Sequence, residues 1–135
     1  MSEQNIGVVR AIYDAFGRGD VPAVLGAFDA DIEWHEAAGL PYGGVHRGPE
    51  AVATNVFGPI TTDVENFSVN PEEYLDAGDE VVSLGRYRGR GVQSGAELDL
   101  PFAHAWTVRG DKVTRFRQYV DTQKFNEMLA GQAVS

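Results

Sequence analysis

The first thirty residues alternate between apolar and polar positions with a helical step. Ile6, Val9, Tyr13 and Phe16 recur at intervals of three and four, which puts one buried stripe on an amphipathic helix over 3–17. Gly17 and Gly19 end it, and Asp20 is placed to cap a second helix with Pro22 in its first turn and Val24, Leu25 and Phe28 inward. A short strand then carries Ile32, Trp34 and Glu36, and Gly48-Pro49-Glu50 opens a third helix that runs to about Phe57, where Gly58-Pro59 stops it. From residue 64 the period changes to two, giving β segments over roughly 64–76, 80–90, 96–109 and 112–120. Ala77-Gly78-Asp79, Gly91 to Gly95 and Gly110-Asp111 are turns short enough to join antiparallel neighbours, so these strands form a meander. Asp121 or Thr122 caps a last helix carrying Phe125, Met128 and Leu129, closed by Gly131. The order predicts an α+β layer arrangement with helices on one face of a curved sheet. No repeat, low-complexity tract or linker divides it, so residues 1–135 read as one domain.

Strand alternation then assigns faces, because residues two apart point the same way. On the first strand Ile32, Trp34 and Glu36 share the apolar side, leaving Glu33 and His35 outside. On the strand around 98–108, Leu98, Leu100, Phe102, His104, Trp106 and Val108 form one apolar parity broken by a single imidazole. On the last strand Phe116, Gln118 and Val120 share a face, opposite Arg115, Arg117 and Tyr119. Three polar groups, Glu36, His104 and Gln118, are thereby sent toward the greasy interior. The loop AAGLPYGG after Glu36 is expected to leave room for a ligand to enter.

Composition narrows the partners. A net charge of −9 over 135 residues repels phosphate backbones and anionic lipid, so neither nucleic acid nor membrane is expected as a partner. The absence of Cys removes thiolate nucleophiles and Cys-based metal sites and fits a reducing cytosol. The N-terminus has no basic start followed by an apolar run, which completes the expectation of a soluble cytoplasmic protein.

Tyr13-Asp14-Ala15-Phe16, Gly19-Asp20, DADIEW at 29–34, HRGPEAV at 46–52, PFAHAWTV at 101–108 and RFRQYVD at 115–121 occur in an order that resembles the SnoaL-like, ketosteroid isomerase-related branch of the NTF2-like superfamily. The resemblance covers essentially the whole chain. It implies an NTF2-like cone: a curved, mostly antiparallel sheet wrapped around a long N-terminal helix, with two further helices and a short C-terminal one, and a pocket at the wide end. It also implies a homodimer paired through the outer sheet faces. The isomerase's general base falls on Glu36 and its protonated oxyanion acid on His104. Its oxyanion tyrosine falls on Ile12, with Tyr13 next door and pointing elsewhere. The Asp-Arg-Asp set of the superfamily's epoxide hydrolases falls on Tyr87, Gly85 and Gln118, which disfavours that activity.

The chemistry this supports is proton abstraction beside a carbonyl. A carboxylate in an apolar cavity has its charged form disfavoured, which lifts its pKa into the useful range; ketosteroid isomerase is the standard illustration of this logic. Glu36 would be the base, His104 the donor or acid, and Gln118 a donor to a developing oxyanion. Trp34, Tyr42, Phe57, Phe102, Trp106 and Phe116 would supply the flat walls for a small apolar or aromatic carbonyl compound. The reading is a small apolar-ligand-binding protein whose catalytic form is a cofactor-independent isomerase, cyclase or dehydratase. The alternative, of a different class, is a non-catalytic ligand-binding or dimerisation module with the same pocket filled.

Other motifs resolve blandly. His35-Glu36-Ala37-Ala38-Gly39 misses the zinc pattern H-E-x-x-H at its last position, and no metal is expected. Gly89, Gly91 and Gly95 fail the dinucleotide spacing and lie in a hairpin, so no cofactor is expected. Arg109-Gly110-Asp111 is turn chemistry. Arg86, Arg88 and Arg90, with Arg115 and Arg117, read as ion-pairing groups in an acidic protein.

Overall fold

A computed structural model describes residues 2–130. Gly131, expected to close the last helix, lies outside the described residues. Helix α1, Ser2–Gly17, lays Val9, Ile12 and Tyr13 against the sheet. Asp20 caps α2, Val21–Gly26, accepting from the Ala23 N–H at 3.2 Å. Strand β1, Phe28–Glu36, is followed by β2, Gly44–Arg47, an edge strand that the sequence pattern left inside a loop. At four residues with alternating half-burial, it carries too little period to stand out.

The third helix does not stop at Gly58-Pro59 as expected. Helix α3, Pro49–Val52, widens into a π-helical turn over Ala53–Phe57, and α4, Gly58–Asp63, continues beyond it. The Gly58 N–H reaches back to the Ala53 carbonyl, so Pro59 falls in the first turn of a new helix, where its missing N–H and fixed φ are tolerated. The loosened turn replaces a break.

Strands β3 (Val64–Ala77), β4 (Glu80–Gly91), β5 (Glu97–Arg109) and β6 (Lys112–Val120) form the expected antiparallel meander. The sheet order is β2-β1-β6-β5-β4-β3, with β1 parallel to β6 and every other pair antiparallel. Helix α5, Thr122–Ala130, is capped by Asp121, whose carboxylate accepts from the Lys124 N–H at 2.9 Å. The architecture is the α+β cone.

Two irregularities bend β3 around the helix. Its register with β4 slips between Glu65 and Ser68 and again between Pro71 and Glu73. Gly85 is required at the second: a Cβ there would collide with the Asn70 carbonyl oxygen and stand 2.8 Å from both Phe102 and Pro71. The core lies between this concave face, α1 and α5, with Phe116, Phe125, Ile32 and Val9 among its fully buried members.

Candidate functional site

The alternation expected of the strands places its residues as read. Ile32, Trp34 and Glu36 are buried, as are Leu98, Phe102, His104, Trp106 and Val108, and Phe116 with Gln118. Glu36, Ser83, His104 and Gln118 are the buried polar side chains among the described residues, and all four lie on the concave face.

A cavity of about 60 Å³ lies between that face, α1 and the π-helical turn. Trp34, Phe57, Trp106 and Phe116 form aromatic walls, with Trp34 stacked on Phe116 at 3.7 Å between centroids and Phe57 edge-on to Trp34 at 5.5 Å. Half-buried Phe16, Phe57 and Phe67 close the outer side, Phe16 meeting the other two edge-on at 5.4 and 6.2 Å. The space holds a few water molecules and is smaller than the ~150 Å³ that takes a benzene ring, so a larger ligand must displace these rings.

Glu36 ends β1 at this cavity. Its Oε1 accepts from the Trp34 indole N–H at 2.8 Å. Burial pushes its carboxyl up to about 7, more than the hydrogen bonds from Trp34 and Gln118 hold it down. Near neutral pH it is therefore divided between acid and base forms, as a general base requires.

Gln118 is oriented by the backbone. The Ala37 N–H can only donate, and it faces Oε1 at 2.9 Å, which sends Nε2 to the Tyr87 hydroxyl at 2.8 Å. From Tyr87 the contacts continue inward. Tyr87 Oη lies 2.6 Å from His104 Nε2, His104 Nδ1 lies 2.6 Å from Tyr13 Oη, and Tyr13 Oη lies 2.5 Å from Ser83 Oγ. The Trp106 indole donates to both Tyr13 and Ser83, at 3.2 and 3.1 Å. Burial holds His104 well below its ordinary 6.5 and raises Tyr13 and Tyr87 above 10, so the imidazole and both phenols are neutral at physiological pH.

This arrangement revises several expectations. His104 is not placed as an acid, because it is neutral and a tyrosine occupies each ring nitrogen. Tyr13 does not point elsewhere: it is buried on α1 beside Val9 and Ile12, its ring stacks on His104 and its hydroxyl is the imidazole's partner. Tyr42 stands away from the cavity, donating to Asp63 at 2.8 Å, and Phe102 lies behind it, stacked on His104 at 3.9 Å. The loop after Glu36 is no entrance. Leu40 and Tyr42 are buried, and a Cβ on Gly43 would stand 2.5 Å from the Ala37 carbonyl oxygen, so its small residues serve a tight reversal.

Sequence reasoning passed over Tyr87 as a candidate and never weighed Ser83. The signal was present: Val81, Ser83, Gly85 and Tyr87 share one buried parity on β4, the alternation used on the neighbouring strands. The remaining polar candidates lie outside the site. His35 meets Glu33 at 3.2 Å, the His46 Nε2–H donates to the Tyr42 carbonyl at 2.8 Å, Arg86 and Arg88 flank Asp99, and Arg115 and Arg117 reach Glu80. Among the described residues no three His, Cys, Asp or Glu gather as a metal site.

The sequence profile of the SnoaL-like domain matches residues 9–116. Among solved structures, an NTF2-like protein from Burkholderia thailandensis is 31% identical, with 96% of this chain and 95% of that one superposed at a TM-score of 0.85. TerC, co-crystallised with polyporic acid, is 28% identical over 94% and 98% of the two chains, with a TM-score of 0.86. An uncharacterised protein of Mycobacterium tuberculosis, Rv0034, is 27% identical over 87% of this chain and 88% of its own.

Proposed function

Because the chain belongs to the SnoaL-like domain family, we propose that it encloses a small apolar or aromatic carbonyl compound and moves a proton beside the carbonyl. The observation that carries this reading is Glu36, the one buried carboxylate among the described residues, at a cavity lined mostly by aromatic and aliphatic side chains. Glu36 takes a proton from the carbon next to the carbonyl, the C–H pair becomes the C=C bond of an enolate, and the carbonyl π pair moves to oxygen. Return of the proton to a different carbon completes a double-bond shift; expulsion of a β-hydroxyl or attack on a second carbonyl gives dehydration or cyclisation. Similarity to TerC, a protein crystallised with polyporic acid, supports a ligand in this space.

The test is deuterium exchange of small ketones. Cyclopentanone and 2-cyclopentenone in D₂O are followed by proton NMR with the native protein and with Glu36→Gln. Exchange above the buffer rate, lost in the variant, supports the reading; no exchange with any ketone sinks its catalytic part. A second reading is favoured by the small volume of the cavity: a non-catalytic module that binds a ligand or pairs with a copy of itself without chemistry. Ligand-dependent thermal stabilisation without exchange selects that reading.

The same proposal includes a homodimer. The outer face of β5 and β6 carries Ala103 and the exposed ring of Tyr119 beside Arg115 and Arg117, which pair with Glu80, and it is the face on which a second sheet can lie. Sedimentation of native protein and of Tyr119→Glu tests it. Among the described residues no helix is long and apolar enough to cross a membrane; the cytosolic assignment rests on the cysteine-free sequence, and cell fractionation checks it.

A further inference from the structure

We propose that Tyr87 donates the hydrogen bond that holds the ligand's oxygen in this cavity, with His104, Tyr13 and Ser83 orienting that donor from behind. The inference rests on the acid-base reading above and deepens it: it names the group facing the developing oxyanion while Glu36 holds the proton.

The protons along this row can be counted. Tyr87, His104, Tyr13 and Ser83 are joined by three contacts, at 2.6, 2.6 and 2.5 Å. A neutral imidazole carries one N–H, and each of the three hydroxyls carries one O–H, so four protons serve three contacts. Gln118 and Trp106 cannot absorb the surplus, because the groups they present to the chain are N–H donors. With every contact made, one proton is left over.

Three arrangements make every contact, and one is overcrowded: with Nδ1–H and Ser83 both donating to Tyr13, the Trp106 N–H makes three donors on an oxygen with two lone pairs, and the Tyr13 proton is left without an acceptor. Two remain. If Tyr87 donates to Nε2, then Nδ1–H donates to Tyr13, Tyr13 donates to Ser83, and the Ser83 hydroxyl is left over. That hydroxyl is fully buried, and its hydrogen-bond partners are Tyr13 and the donor Trp106, so its proton has no acceptor. If instead Ser83 donates to Tyr13, then Tyr13 donates to Nδ1, Nε2–H donates to Tyr87, and the spare proton is on Tyr87. Tyr87 lines the cavity. An acceptor atom there completes the second direction and relieves the only unsatisfied donor in it.

The ligand class follows. Among the residues lining the cavity none is Lys or Arg, so a carboxylate or phosphate ligand finds no countercharge, while a ketone or phenol oxygen finds one directed O–H. No proton leaves the chain in this step: the enolate oxygen accepts a hydrogen bond, and the whole row keeps its four protons. His104 acts as a positioning residue. Its tautomer reports whether the cavity holds an acceptor.

The test uses phenol as the acceptor-bearing probe and toluene as the same ring without oxygen. Long-range ¹⁵N–¹H NMR of the native protein reads the His104 tautomer. Phenol is expected to fix the proton on Nε2, and toluene is not. Tyr87→Phe is expected to weaken phenol binding by roughly 10- to 100-fold and to leave toluene binding unchanged. If phenol binds with the proton held on Nδ1, or if Tyr87→Phe weakens both probes equally, the role of Tyr87 is overturned and the cavity reading survives. If neither phenol, toluene nor 2-cyclopentenone binds, the cavity reading fails and takes this inference with it. The tautomer measurement needs no variant, so misfolding of Tyr87→Phe does not shield the proposal.

Discussion

The two polar ends of the cavity differ in how completely they are satisfied. At one end Glu36 accepts from the Trp34 indole at 2.8 Å with Gln118 as a second donor, short of the four bonds a carboxylate can take, and burial pushes its carboxyl up to about 7. At the other end His104 has a tyrosine on each nitrogen, and both tyrosines have further partners. Both groups are equally hidden from solvent. Burial by itself therefore does not make a reactive group; incomplete pairing under burial does. The carboxylate keeps capacity to change its protonation state, whereas the imidazole has become part of a scaffold that directs someone else's proton.

That contrast can be broken at either end. The largest effect is expected on chemistry: Glu36→Gln should lower ketone exchange by roughly 10²–10⁴-fold, the range a positioned general base supplies. His104→Ala should lower it mainly by misplacing Tyr87, and a loss in the alanine variant as deep as that in Glu36→Gln would erase the distinction between base and scaffold.

Next in size is the pH dependence of stability. The folded state holds the Glu36 proton up to about 7, against 4.5 for an ordinary glutamate, so between these values the folded state binds more protons than the unfolded one. Stability therefore falls as pH rises through this window, by about 3 kcal/mol in total at pH 8. Glu36→Gln should flatten that fall in urea melts at pH 4.5 and 8. His104 adds the opposite slope, because its depressed value costs stability as pH drops below 6.5.

Smaller again is Tyr13→Phe, which leaves His104 Nδ1 and Ser83 without their shared partner and should cost about 1–3 kcal/mol in the same melts. A loss confined to a few tenths would mean that the row relaxes and that its proton count does not bind. The smallest effect is expected outside the cavity. Asp99→Asn removes the partner of Arg86 and Arg88 on the exposed face, and its melting midpoint should coincide with that of the native protein. A marked drop would place a structural or dimer contact there.

The sequence alone determined the layers and the faces. Apolar residues at helical steps defined α1, and the change to a period of two at residue 64 defined the meander, because side-chain direction follows backbone geometry directly. The same alternation sent Glu36, His104 and Gln118 inward, since each interrupts an otherwise apolar parity. It stopped short at Ser83 and Tyr87, whose parity was equally plain but whose residue types carry no catalytic signal singly.

Only the tertiary structure decided what these groups became. Whether an inward imidazole is an acid or a bridge depends on which hydroxyls arrive beside it, and those come from α1 and β4, 91 and 17 residues away in the chain. The packing of Tyr13 onto His104, the π-helical turn that lets the chain pass Pro59, and the glycine reversal after Glu36 all depend on segments other than the one in which they occur. Local periodicity contains none of that information, because it fixes where a side chain points and not what it meets.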